Sequence, residues 1–555
     1  MKINDLIHGF RVTELRPLPE LDATLCRMEY EKNGADLVWL DRRDDNKTFA
    51  IAFKTIPSDS TGVFHILEHS VLCGSEKYPV KEPFVELLKS SLQTFLNAFT
   101  FPDKTMYPVS SRNDRDFLNL IDVYMDATLH PLSISDPHAF RQEGWHYELQ
   151  DGTLTCNGVV YNEMKGAYAS PDTVLQAKLA AMLFPDNCYG VESGGDPEHI
   201  TDLTYEDYLA SHARFYHPSN ARIFLDGSVD LDPVLEKLDS FLSDYDRLEV
   251  DAEIPMQQPV SPPDAECFYE IGQQEDPENK VLLAEGWVLG DYSRQEQALA
   301  LNVLTEILCD SNDSPLKKAL LEADLAEDVE FQPMDGIQQQ YVLLVVRNTS
   351  MEKREAVWAA IRRVLEEQVR KGVDRGRLEA LLNRLEFSTR EKDFGSMPRG
   401  LIYAMSALES WLYGGDPAQN LCYEAVFRSL REKLATDYYE TLLREAFLDN
   451  PHHARLTLLP SRTLGREKQE REKARLAGVL SRWDRETKDR VAAEFQALRA
   501  RQAMEDTPAQ LASLPRLSLA DLPDTVPVTP QTVENLGSSV LLHQDVSTGG
   551  IIYLD

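Results

Sequence analysis

The chain has 555 residues, 43% of them hydrophobic and 27% charged, which is too long for one core and fits about three or four domains. Its 92 acidic against 57 basic residues leave a net charge of -35. That balance argues against nucleic acid and against an anionic membrane surface as partners, and no run approaches the roughly 18 apolar residues of a membrane span. The seven cysteines are odd in number and widely spaced, with no close pair, so free thiols in a reducing compartment are expected. The opening MKINDLIHGFRVTELRPLPE carries neither a secretory nor a transit pattern, so a cytoplasmic protein of bacterial type is expected.

In chain order, ADLVWLDRRDDNKTFAIAFKT at 35–55 reads as two strands around a polar turn, followed by an amphipathic helix from about Gly62 to Cys73. FLNAFTFPD can be either an interior strand or a sheet edge. MYPVSS reads as a strand. DRDFLNLIDVYMDATL reads as a helix with Phe117, Leu120, Ile121, Tyr124 and Leu129 near helical spacing. SGGDP at Ser193–Pro197 is too short for a phosphate loop and reads as a glycine turn. YHPSNARIF reads as a turn into a strand, with Asn220 and Arg222 in structural roles.

After the proline-rich stretch at 254–266 the order repeats. KVLLAEGWVL and YVLLVVRN read as strands, and SRQEQALALNVLTEILCD and KREAVWAAIRRVLEEQV as helices. The expected fold class is α+β, with two tandem related domains of mixed sheet and packed helices at 1–255 and 266–460. Residues 461–525 are expected to form a helical linker, with one or two long solvated helices from Arg462 to about Glu505. Residues 526–555 read as the opening hairpin of a third, truncated copy. A strand ending unpaired at Asp555 leads to the expectation that the polypeptide continues or that a separate chain completes the sheet.

The chemistry concentrates in TGVFHILEHSVLCGS. On a helix, at about 100° per residue, His65 and His69 sit roughly 40° apart and can reach one ion, while Val63, Ile66, Leu67 and Val71 face the other way. Glu68, between the histidines, is placed to act as a base. A histidine pair alone is as often a buried hydrogen-bonded feature as a metal site. A hydrolytic zinc site needs three protein ligands and an open position for water. Glu86, Glu143, Glu148 and Glu163 are candidates for the third ligand, and spacing does not choose among them.

The surrounding residues HILEHSVLCGSEKYP, SLQTFLNAFTFPDKTMYP, QEGWHYE, GVVYNEMKGAY, SGGDP and YHPSNARIF occur in the order seen in the presequence-protease branch of the pitrilysin and insulinase family, and the resemblance runs through most of residues 1–230. It implies one Zn²⁺ per chain on His65, His69 and Glu163, the last from NEMKG. It further implies that Glu68 is the general base and that Glu143 of QEGW is a catalytic acid acting from behind the ligands. Backbone groups at Asn97 and Ala98 are then the edge that pairs with an extended, unfolded peptide. The second copy has no histidine where the first has its motif, in keeping with a non-catalytic partner domain. The resemblance implies a zinc metalloendopeptidase of the N-terminal-half type. The alternative is a half that binds zinc and peptide but needs the C-terminal half, the source of substrate-holding Arg and Tyr groups in the family, for turnover.

Overall fold

A computed structural model describes residues 1–555 apart from 262, 524, 526, 527, 530, 545–547, 549, 554 and 555. The first unit is a nine-stranded sheet of β1 (Leu6–Ile7), β2 (Phe10–Leu18), β3 (Ala23–Tyr30), β4 (Asp36–Arg42), β5 (Lys47–Lys54), β6 (Gln93–Leu96), β7 (Phe99–Thr100) and β8 (Lys104–Ser111), followed, after a separate hairpin of β9 (His146–Gln150) and β10 (Thr153–Asn157), by β11 (Ala221–Asp226). The order in space is β1-β2-β3-β4-β11-β5-β8-β6, with β7 also on β8. The two strands read around a polar turn, β4 and β5, are not partners. β11 lies between them, parallel to β4 and antiparallel to β5.

β5 is nearly all buried because both faces of the sheet are covered, so its sequence reads as a run of apolar residues. Phe49, Ile51 and Phe53 enter the core under the unit's own helices, while Ala50 and Ala52 face the opposite layer. The helices are α1 (Val63–Val71), α2 (Pro83–Ser90), α3 (Asp114–Leu129), α4 (Pro137–Glu143), α5 (Val159–Ala167), α6 (Pro171–Leu183), α7 (Tyr205–Phe215) and α8 (Leu231–Leu242). α3 starts where Asn113 Oδ1 accepts the Asp116 N–H at 2.9 Å. It buries the apolar face read from the sequence.

The second unit is a five-stranded sheet of β12 (Asp264–Glu270), β13 (Val281–Asp291), β14 (Asp328–Met334), β15 (Gln339–Thr349) and β16 (His453–Ser461), in the order β12-β16-β13-β15-β14. Its β12-β16-β13-β15 core repeats β4-β11-β5-β8 strand for strand. In each, the first pair is parallel and the next two are antiparallel. A helix follows the third strand of each core: α1 after β5 and Gln295–Cys309 after β13.

The units exchange helices. α6 of the first lays Val174, Leu175, Leu179 and Leu183 on the second sheet. The helix Arg399–Trp411 of the second lays Leu401, Ala404 and Leu408 on the back of the first. The helices Leu464–Arg482 and Arg485–Ala503 are not solvated on every side. Val491, Phe495 and Leu498 make a buried stripe at helical spacing, Phe495 stacks on His146, and Trp483 meets the edge of Tyr147.

The last described elements are a hairpin of Gln531–Leu536 with Ser539–Gln544. The unpaired edge expected at Asp555 lies outside the described residues. All seven cysteines are free thiols. Among the described residues no helix is long and apolar enough to cross a membrane.

Candidate metal centre

α1 begins at Gly62, whose left-handed conformation (φ 70°) turns the chain into the helix. A Cβ there would meet the Gly194 carbonyl at 2.8 Å, so the SGGDP turn is packed against the start of the histidine helix. The buried side of α1 is Val63, Phe64, Ile66, Leu67, Ser70 and Val71. His65, Glu68 and His69 remain half-buried on the side that faces α5.

Both imidazoles are oriented from behind. His65 Nδ1 lies 2.9 Å from the Gly194 carbonyl oxygen, to which it can only donate. His69 Nδ1 lies 3.3 Å from Glu143 Oε2. A protonated Nδ1 leaves the Nε2 lone pair free. Both Nε2 atoms sit 3.8 Å from Glu163 Oε2 on α5. One ligand atom from each of His65, His69 and Glu163 falls within 4.8 Å of the others, and this is the one such three-residue group among the described residues. Tetrahedral zinc with bonds of about 2.1 Å spaces its ligands roughly 3.4 Å apart, so the donor set fits Zn²⁺ with a small closure of side chains. Glu163 is half exposed, which leaves the site open on one side.

Glu143 ends α4 and is buried. Burial pushes its carboxyl up, but hydrogen bonds from His69 and Gln142 more than offset this and hold it below the usual carboxylate range. Burial likewise pulls the His69 imidazolium down, and the hydrogen bond to Glu143 with the charges of Glu68, Glu143 and Glu163 outweighs it, so its pKa is raised. Glu192 keeps the Gly194 carbonyl in place by accepting the Gly194 N–H at 3.2 Å and the Tyr168 hydroxyl at 3.3 Å. α5 is clamped from outside by Glu472, which accepts from the Tyr161 hydroxyl at 2.6 Å and Lys165 Nζ at 2.9 Å.

Asn97 and Ala98 lie between β6 and β7 at the outer edge of the nine-stranded sheet. The Asn97 N–H points inward to the Pro108 carbonyl at 3.4 Å, and its own carbonyl accepts from the Tyr124 hydroxyl at 3.2 Å. The Asn97 side chain is exposed and Ala98 is buried. Of the alternative acids, Glu86 pairs with Lys89 on α2 and Glu148 with His146 on β9. Asn220 is structural, its side-chain amide donating to the Lys54 and Phe215 carbonyls.

Three contributors carried no signal of their own in the sequence: the Gly194 carbonyl, Glu192, and Thr100, whose hydroxyl donates to Glu68 Oε2 at 2.7 Å. The glycines of SGGDP mark a tight turn, but not what it packs against.

The fold is that of the M16 peptidases. A protease from Helicobacter pylori matches over 77% of this chain and 98% of its own, at 16% identity and a TM-score of 0.59. Pitrilysin matches over 82% of this chain and 46% of its own, at 17% identity and a TM-score of 0.53. Three family models also match: insulinase (peptidase family M16) at residues 57–151, the peptidase M16 inactive domain at 202–385, and the region associated with subfamily C of the M16 peptidases at 458–555.

The chain belongs to the insulinase (M16) peptidase family, in its presequence-protease branch. It is 40% identical to protein HypA of Clostridium perfringens over 100% of this chain and 57% of that protein. It is 37% identical to presequence protease 1, chloroplastic/mitochondrial, of Arabidopsis thaliana over 99% of this chain and 52% of that protein. The chain thus spans about half the length of these relatives.

Proposed function

We propose that the chain carries the zinc centre of a metalloendopeptidase that degrades unfolded peptides. The observation that supports this most is the convergence of two imidazole Nε2 atoms and one carboxylate, each imidazole fixed by a separate partner on Nδ1. Zinc held by His65, His69 and Glu163 would supply a Lewis acid and lower the pKa of a water there to about 7. Glu68, one residue before His69 and on the same helix face, takes the proton of the attacking water and returns it to the leaving amine. Glu143 holds His69 in the tautomer that offers Nε2. The edge at Ala98, beside an Asn97 whose N–H and carbonyl are bonded inward, takes the peptide as an added strand, which selects extended chains over folded ones.

The test is cleavage of an unfolded peptide and of a folded protein containing the same segment, before and after chelation. Peptide cleavage that stops on chelation and returns with zinc, with the folded protein spared, is the expected result. Equal cleavage of both, or turnover indifferent to chelation, would overturn the reading. A second reading, that turnover also needs further chain, is supported by the length of the relatives. It predicts zinc and peptide binding without cleavage.

A further inference from the structure

Glu68 has two carboxylate oxygens, and the chain treats them differently. Oε2 accepts the Thr100 hydroxyl at 2.7 Å; among the described residues Oε1 has no hydrogen-bond partner. The Thr100 hydroxyl also lies 3.5 Å from the Phe64 carbonyl, too long to compete for its single proton. Thr100 belongs to β7, where it pairs with Thr105 of β8, three residues after Asn97 on the strip of backbone assigned to the peptide.

That strip is anchored rigidly. The turn after Thr100 is closed by the Phe101 N–H to the Lys104 carbonyl at 2.8 Å. Asp103 in this turn is fully buried and accepts from the hydroxyls of Tyr189 at 2.7 Å and Tyr413 at 2.6 Å. Lys104 Nζ donates to the Gly336 carbonyl of the second unit at 2.6 Å.

We infer that Thr100 is a positioning residue for the base. By holding Oε2, its hydroxyl fixes the plane of the Glu68 carboxylate and aims Oε1 into the site, so that the strand that takes up the peptide also sets the base relative to it. The inference rests on the peptidase reading and extends it, because it ties the placement of Glu68 to the substrate edge and not to the histidine helix alone. A hydroxyl that fixes orientation without touching substrate acts on turnover and not on peptide affinity.

Thr100→Val keeps the shape and removes the hydroxyl; Thr100→Ser keeps the hydroxyl. With an unfolded peptide at matched zinc content, Thr100→Val is expected to lower kcat roughly 10- to 100-fold with KM changed by no more than about twofold. Thr100→Ser is expected to restore most of that loss. In a Glu68→Gln background, Thr100→Val adds nothing further, because the group it positions is gone. Wild-type kcat in Thr100→Val, equal losses in the Val and Ser variants, or a loss that appears in KM or in zinc content would overturn the inference. A wild-type chain without turnover, both alone and with a C-terminal half supplied, would instead overturn the peptidase reading beneath it, and this inference with it.

Discussion

The two units share a four-strand core of one topology and put a helix at the same place on it, yet only one of those helices carries residues of the candidate metal centre. In α1 the side turned from the core carries His65, Glu68 and His69. In the equivalent helix, Gln295–Cys309, there is no histidine, and Leu301, Leu304 and Leu308 serve the core. The scaffold therefore demands only the apolar side of this helix, and its other side is free to hold a metal or to be merely polar. The second unit packs on the first: its helix Arg399–Trp411 backs the first sheet, and its Gly336 and Tyr413 hold the turn beside the proposed substrate edge.

The sharpest way to break this contrast is Glu68→Gln. It is expected to lower peptide turnover by about 10²–10⁴-fold with zinc content unchanged, whereas Glu306→Gln on the counterpart helix leaves both alone. Replacing a donor is the next step down. His65→Ala or Glu163→Gln is expected to abolish stoichiometric zinc, read by metal analysis of the purified chain, and turnover should fall with it.

Glu143→Gln leaves the donor set intact but weakens the hold on His69 Nδ1. Zinc affinity is then expected to drop about 10- to 100-fold, measured by competition with a chelator. Leu304→Ala, in the core of the second unit, should cost about 2–5 kcal/mol in urea unfolding while the zinc count stays at one per chain.

The smallest effect concerns the contact between the units. Glu409 lies on the exchanged helix; burial, and after it the charge of Asp335, pushes its carboxyl up to about 7 against a partly opposing Lys104. A carboxyl with a folded pKa above its unfolded value binds its proton more tightly in the fold. Its contribution therefore favours folding at low pH and is lost as pH rises from about 4.5 towards 7. Glu409→Gln should flatten the stability-against-pH curve in that window, and an unchanged slope would remove Glu409 as its cause.

The sequence rendered the local elements well and their neighbours poorly. The apolar face of α3 and the polar and apolar sides of α1 follow from residue spacing, which the backbone period fixes. The insertion of β11 between β4 and β5 does not, since their separation by a short polar turn is what an ordinary hairpin would also show. The exchange of α6 and Arg399–Trp411 is equally hidden, because an apolar stripe records that a helix is covered and not by which sheet.

At the site, His65, Glu68 and His69 were readable as one helical face. Glu163 was not, because it lies on a different helix brought alongside by tertiary packing, and only the family resemblance singled it out. Thr100 and the Gly194 carbonyl act through contacts that no short-range pattern encodes. The stripe of Val491, Phe495 and Leu498 could have shown that the helices after 461 pack against the first unit, but the dense charge around it masks the signal.

The most direct test of the central claim is hydrolysis of an unfolded peptide by this chain, wild type beside Glu68→Gln, at equal zinc occupancy. The account predicts turnover in the wild type and its loss in the variant with the metal retained. Undiminished turnover in Glu68→Gln would contradict the assignment of the base and, with it, the chemical division between the two units.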